Sequence, residues 1–159
     1  MKRFVMLAVA AVILCVTPAF AENAQNTNMQ ILLEKVKADK KLLIAANMDL
    51  TDQESKAFWP LYEGYQKDLE QLNRHLGGLI NEYAEAYNKN KGTVSEDLAK
   101  SLINEALKTE GAEVKMRREY AEKLVKVMPA TKVARYLQME NKIRAAIKFD
   151  LAANIPLVY

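Results

Sequence analysis

Eight large apolar residues, Phe58, Tyr62, Tyr65, Leu69, Leu72, Leu76, Leu79 and Tyr83, follow one another at alternating steps of four and three. This spacing lines one seam of an α-helix over more than three heptads. No comparable alternation of period two and no hairpin signal between apolar runs occurs elsewhere, so the chain reads as all-α. Immediately upstream, Thr51-Asp52-Gln53-Glu54 has the form of a capping box. The threonine hydroxyl accepts from a free N–H of the first turn, and the glutamate three residues on reaches back to the cap. Asp52 adds negative charge at the positive end of the helix dipole. A helix is therefore expected from Asp52 to about Lys89, about 57 Å long at 1.5 Å per residue. Two features work against it. Pro60 cannot donate its backbone bond and predicts a bend near residues 56–60, while Gly77-Gly78 permits a bend or a close backbone crossing.

The same reasoning divides the rest of the chain. Ile31, Leu32, Val36, Leu42, Leu43 and Ala46 recur at helical spacing and predict a first helix from Met29 to about Ala46, closed by Asn47-Met48-Asp49. After a loop at residues 88–92, Thr93-Val94-Ser95-Glu96 offers a second capping box and starts a third helix running to about Val127. Its seam (Leu98, Leu102, Leu107, Val114, Ala121, Leu124, Met128) is interrupted by a mostly polar stretch from Thr109 to Arg118 around Gly111. Pro129 suits the opening of a fourth helix, where a missing N–H costs nothing. Val133, Tyr136, Leu137, Ile143, Ile147 and Leu151 carry that helix to about Asn154, before the apolar tail 155–159. The expected architecture is about four helices, two of them long, with short connections that imply antiparallel helical hairpins.

The N-terminus sets the compartment. Met1-Lys2-Arg3 is cationic, Phe4 to Val16 is uncharged, and Ala19-Phe20-Ala21 follows. These are the three parts of a secretory signal peptide. The apolar run of about 13 residues is short of the roughly 20 needed to span a bilayer core. The expected plan is a cleaved signal at residues 1–21, a polar flexible leader at 22–28 and a single helical domain at 29–159, periplasmic and without stable membrane insertion. Cys15 raises a lipoprotein alternative, but Leu14 stands where lipoprotein processing wants a small residue. Cleavage removes this sole cysteine, so the mature chain has no disulfide, and stability rests on helix packing or a partner subunit. Removing Lys2 and Arg3 from the 23 basic residues leaves 21 against 20 acidic ones, a net charge of +1 rather than +3. A near-neutral exported domain is a poor match for nucleic acid.

Motifs for chemistry are missing. Without the leader there is no thiol, His75 is the one histidine, and GxSxG, HExxH and phosphate-cradling glycine loops do not occur. His75 beside the long seam reads as a boundary residue. The methionines stand singly, as gap-fillers of a core do, so neither a metal site nor a cofactor is expected. The sequence does not read as an enzyme. Charge is more informative. Residues 49–82 carry seven acids and three bases, whereas residues 112–148 carry ten bases and four acids. The basic stretch reads either as complementing the acidic helix, within the chain or across subunits, or as a cationic surface for acidic or partly unfolded chains. On the second reading Arg117, Arg118, Arg135 and Arg144 are the candidate contacts. Phe58, Trp59, Tyr62 and Tyr65 crowd into two turns and cover more than one helix face. Some pack in the core, and Phe58, Trp59 and Tyr62 are the candidates for apolar contact if any stay outside.

Leu50-Thr51-Asp52-Gln53-Glu54 opening a long helix, behind a signal peptide and a first helix, resembles the LTxxQ-motif proteins of the bacterial periplasm, the Spy- and CpxP-like family. The segments FWPLYEGYQ and MPATKVARYLQMENKIR also resemble a group of secreted proteobacterial proteins of unassigned activity. Glu54 stands in place of the motif's final glutamine. Met128-Pro129-Ala130-Thr131-Lys132 sits where a second motif copy would fall and lacks its pattern. The histidines of the zinc-linked members are absent, so zinc binding is not carried over. The resemblance implies a curved, all-helical protein pairing into a cradle-shaped homodimer with a basic concave face. It implies an ATP-independent chaperone for unfolded envelope proteins or, alternatively, an envelope-stress regulatory module docking on one partner such as a sensor kinase.

Overall fold

The computed structural model describes residues 38–157. The chain divides into two compact units, Met1–Leu42 and Leu43–Tyr159, and of the first only residues 38–42 are described. The leader, the polar stretch 22–28, the start of the first helix and residues 158–159 lie outside the described residues. Helix α1 occupies residues 38–48, α2 Asp52–Lys89, α3 Glu96–Leu124 and α4 Ala130–Asn154. There is no strand among the described residues, so the all-α, four-helix expectation holds.

The turn into α2 forms as its sequence demands. Asp49 takes φ 46°, a left-handed conformation that aspartate tolerates better than most residues. Thr51 Oγ1 accepts from Glu54 N at 3.3 Å, and Thr51 N donates to Glu54 Oε2 at 2.8 Å, completing the capping box. Lys132, in the first turn of α4, donates to Glu54 Oε2 and to the Asp49 carbonyl, both at 2.6 Å. One ammonium thus ties the start of α4 to this turn. That hydrogen bond, with the Thr51 amide, holds the Glu54 carboxyl below its ordinary value.

Helix α2 runs unbroken through Pro60 and through Gly77-Gly78. A methyl group at either Gly77 or Gly78 would meet nothing within 4 Å, so neither marks a close crossing. The close approach is at Gly64, where an added Cβ would lie 2.9 Å from the Tyr120 hydroxyl. The chain reverses after α2 through Lys91 at φ 54° and Gly92 at φ 98°, the second of which favours glycine. The α3 cap corrects the sequence reading. Ser95, not Thr93, caps the helix, accepting from Leu98 N at 3.3 Å, while Thr93 Oγ1 donates to the Asn90 carbonyl at 2.9 Å. Helix α3 ends at Leu124, three residues before the expected Val127.

Residue pairs give the directions. Tyr65 packs on Tyr120 and His75 meets Glu105, so α2 and α3 run oppositely. Tyr136 packs on Phe58, Glu140 meets Gln66, and Pro156 meets Tyr83, so α4 runs along α2 in the same sense. The core lies between the helices near the α1–α2 turn. Ile44 and Met48 of α1, Phe58, Tyr62, Tyr65 and Leu69 of α2, and Met116, Tyr120 and Leu124 of α3 are buried there with Met128, Val133 and Tyr136. Its rings meet edge to face, Phe58 with Tyr136 at 5.2 Å and Tyr65 with Tyr120 at 5.4 Å, the arrangement that ring quadrupoles favour.

Candidate binding surfaces

The aromatic residues considered for apolar contact lie inside. Phe58 and Tyr62 are buried, and Trp59 is half-buried with its Nε1 donating to Ser55 Oγ at 2.9 Å. This removes Phe58 and Tyr62 from the candidate contacts and leaves Trp59 half-buried at the edge of the core. Crowded onto adjacent faces, they meet Tyr136 on α4 and one another, and these contacts absorb them. Burial raises the hydroxyl pKa of Tyr62, Tyr65 and Tyr136, and the buried Glu140 carboxylate adds to the effect in each. Tyr120, which donates to Asp68 Oδ2 at 2.8 Å, is pushed up to about 12, chiefly by burial.

The four arginines separate into two pairs. Arg118 and Arg135 are exposed. Arg117 and Arg144 turn inward, where α3 and α4 flank a half-open cavity of about 290 Å³ with Glu110, Glu113, Val114, Asn141 and Lys148 on its walls. Arg144 pairs with Glu113, both side chains largely buried. Arg117 has no carboxylate within ion-pair distance among the described residues, and its Nε is buried without an acceptor. Successive helix positions point about 100° apart, so Arg117 faces the junction and its neighbour Arg118 faces water. Arg117 and Arg144 therefore do not belong to an open cationic face. Close by, Glu140 is completely buried and accepts from Gln66 Nε2 at 2.9 Å. No sequence signal marked this carboxylate as internal.

A third surface lies at the far end of the long hairpin. Leu76, Leu79 and Ile80 of α2, Leu102 and Ile103 of α3, and Ile155 and Pro156 of the tail line a groove of about 330 Å³ that is almost wholly apolar. The tail is held against α2 where Tyr83 Oη donates to the Pro156 carbonyl at 2.8 Å. Exposed Leu107 continues the apolar surface along α3, one turn beyond Ile103. Leucine and isoleucine on three elements give this groove shape and apolar contact, so it suits binding of aliphatic or aromatic side chains. The sequence carried a trace of it, since Leu76, Leu79 and Ile80 are large while Ala99 and Ala106 facing them are small.

Among the described residues, no group of three or more His, Asp, Glu or Cys is placed to hold a metal ion. No described helix is long and apolar enough to cross a membrane. No protein-family model, curated protein or solved structure matches the chain.

Proposed function

We propose that this protein is a periplasmic, nucleotide-independent chaperone-like protein that holds exposed apolar segments of partly unfolded envelope proteins. The observation that carries the reading is the apolar groove at the far end of α2 and α3, open to solvent and continued by the exposed Ile103, Leu107 and Leu157. Apolar surface of this kind on an otherwise charged helical protein favours contact with other chains. Exposed Arg118 and Arg135 supply a first, long-range attraction for acidic segments, one that salt weakens. The periplasmic part rests on the signal-like start of the chain, and the chaperone-like part also draws on the resemblance of residues 50–54 to the LTxxQ family.

The test is light scattering of a chemically unfolded acidic client, diluted with and without the full chain at low and moderate salt. We expect suppressed aggregation that fades with salt. Ile80→Asn, placed in the groove, should lose most of the suppression at all salt concentrations, whereas Arg118→Glu with Arg135→Glu should lose it chiefly at low salt. Circular dichroism verifies that each variant keeps its helix content. Absence of suppression at several-fold molar excess would defeat the reading. The alternative of a module docking on one envelope partner would then be examined by crosslinking.

A further inference from the structure

The cavity between α3 and α4 carries an unmatched charge. Both helices line it with the same spacing, steps of three, one and three, from Glu110 to Arg117 on α3 and from Asn141 to Lys148 on α4. Positions spaced in this way share one helix face. The two helices run oppositely, so the rows meet in reverse order. Lys148 lies 3.8 Å from Glu110, and Arg144 pairs with Glu113. The next rung of this ladder sets Arg117 level with Asn141, a base opposite an amide. Among the described residues Arg117 has no carboxylate within ion-pair distance, and the Asn141 amide has no hydrogen-bond partner. Glu140, the residue before Asn141, is turned into the core and accepts from Gln66 at 2.9 Å.

Burial makes that charge costly. Arg117 Nε and Arg144 Nη1 are sealed from water without an acceptor. Both guanidiniums also act on the buried Tyr65 hydroxyl, whose pKa burial raises and their charge lowers, so on that side they abut the core. Hydrogen bonding of Arg117 is left to its terminal nitrogens, on the cavity side. A charge in so dry a setting gains most from a fixed counter-charge. We propose that the α3–α4 cavity binds a small organic monocarboxylate, its carboxylate taken by Arg117 and Asn141 and its carbon chain by Val114 and Ala145. The planar fork of arginine gives a carboxylate two parallel hydrogen bonds, and asparagine Nδ2 donates a third. Charge sets the class of ligand. Three bases and two acids line the cavity, so one negative charge completes the ladder, and a dianion would bring an excess beside Glu113. The volume of about 290 Å³ is at the small end of ligand pockets, about 300–1,000 Å³, which favours a free acid of a few carbons over the end of a peptide chain. The site shares no residue with the apolar groove and does not depend on it.

The experiment is isothermal titration calorimetry of the full chain with sodium butyrate, at an ionic strength held constant with sodium chloride. Saturable binding is expected below about 10 mM, the weak range open to so small a ligand. Butyramide, its neutral isostere, should not bind, and sulfate should bind at least about fivefold more weakly than butyrate. N-acetyl-trialanine, which brings the same carboxylate at a chain end, should also bind more weakly. Arg117→Gln should weaken butyrate binding at least about tenfold, because a charge-assisted contact is lost. Lys115→Gln removes an exposed charge from the same helix and should leave binding within about twofold. Asn141→Asp separates binding from folding. Its own carboxylate fills the third rung, so butyrate binding should fall at least about tenfold while the melting temperature is kept or raised. Circular dichroism confirms helix content in every variant. Absence of saturation, equal binding of butyramide, or butyrate binding unmoved by Arg117→Gln and Asn141→Asp would overturn the proposal. Tighter binding of sulfate or of the acetylated peptide would overturn the assignment to a small monocarboxylate.

Discussion

The two halves of the long seam on α2 have the same spacing and opposite fates. Phe58, Tyr62, Tyr65 and Leu69 are buried, while Leu72, Leu76, Leu79 and Tyr83 are half-buried. In the first half, α1, α3 and α4 all reach α2, and aromatic rings from α3 and α4 fill the space between backbones. At the end of the second half, beside Tyr83, α4 gives way to a short tail, and the facing positions on α3 include Ala99 and Ala106. A heptad row therefore says which residues face inward from a helix. How far they are buried depends on what the neighbouring elements bring opposite them. The half that packs completely holds the fold, and the half that does not leaves apolar surface exposed.

The largest expected effect breaks this asymmetry from the packed side. Phe58→Ala removes a fully buried ring that touches Trp59, Tyr62 and Tyr136. It should cost about 3–5 kcal/mol, the usual range for a buried phenylalanine. Leu79→Ala, in the half-buried stretch, should cost well under half of that, because little of a cavity forms where the wall is already open. Urea unfolding followed by circular dichroism measures both. Equal losses would mean that the far half is packed as tightly as the near half, and the groove would lose its standing as a binding surface.

The elements were far more legible than their partners. The bounds of α2 follow from the capping box and the seam, because both are local and depend on residues a few positions apart. The cap of α3 was misplaced by two residues. Thr93 and Ser95 both precede suitable helix starts, and only the tight turn at Lys91-Gly92 decides that Thr93 bonds back to Asn90. The candidate site suffered more. Arg117 and Arg118 look alike in sequence, yet one turns toward Arg144 at a helix junction and the other into water. The burial of Glu140 depends on Gln66, 74 residues away, and no spacing within α4 announces it. Charge counts locate a basic segment, while the angular placement of each side chain decides whether its charge reaches solvent.

An effect of intermediate size sharpens the same contrast through glycine. A Cβ at Gly64 would stand 2.9 Å from a Tyr120 hydroxyl that Asp68 already anchors. Gly64→Ala should therefore push α3 outward or break that hydrogen bond, at a cost of about 1–3 kcal/mol typical of overpacking. At Gly77 and Gly78 the added methyl meets open space. Alanine there should stabilise α2 by about 0.5–1 kcal/mol each through higher helix propensity. Opposite signs at two sites on one helix, read as shifts of the urea midpoint, are the expected outcome. A stabilising Gly64→Ala would show that the helices stand further apart at the base than the Tyr65–Tyr120 packing indicates.

The smallest effect concerns the two caps. Ser95→Ala should cost about 1 kcal/mol, the usual value for a lost N-cap, and Thr93→Ala distinctly less, since its hydroxyl closes a turn. Thr51→Ala should exceed both at neutral pH, because its cap shares Glu54 with Lys132 of α4. The pH dependence separates the cap of α2 from the cap of α3. Glu54 has its folded pKa held below the ordinary 4.5, so its contribution is complete above that value. As pH falls through the lowered pKa, the carboxyl takes up a proton and the contribution disappears. The excess cost of Thr51→Ala over Ser95→Ala should thus shrink on acidification through this window. Urea titrations of both variants and the parent at several pH values measure it, and an excess that stayed constant would separate the Thr51 cap from the Lys132 tie.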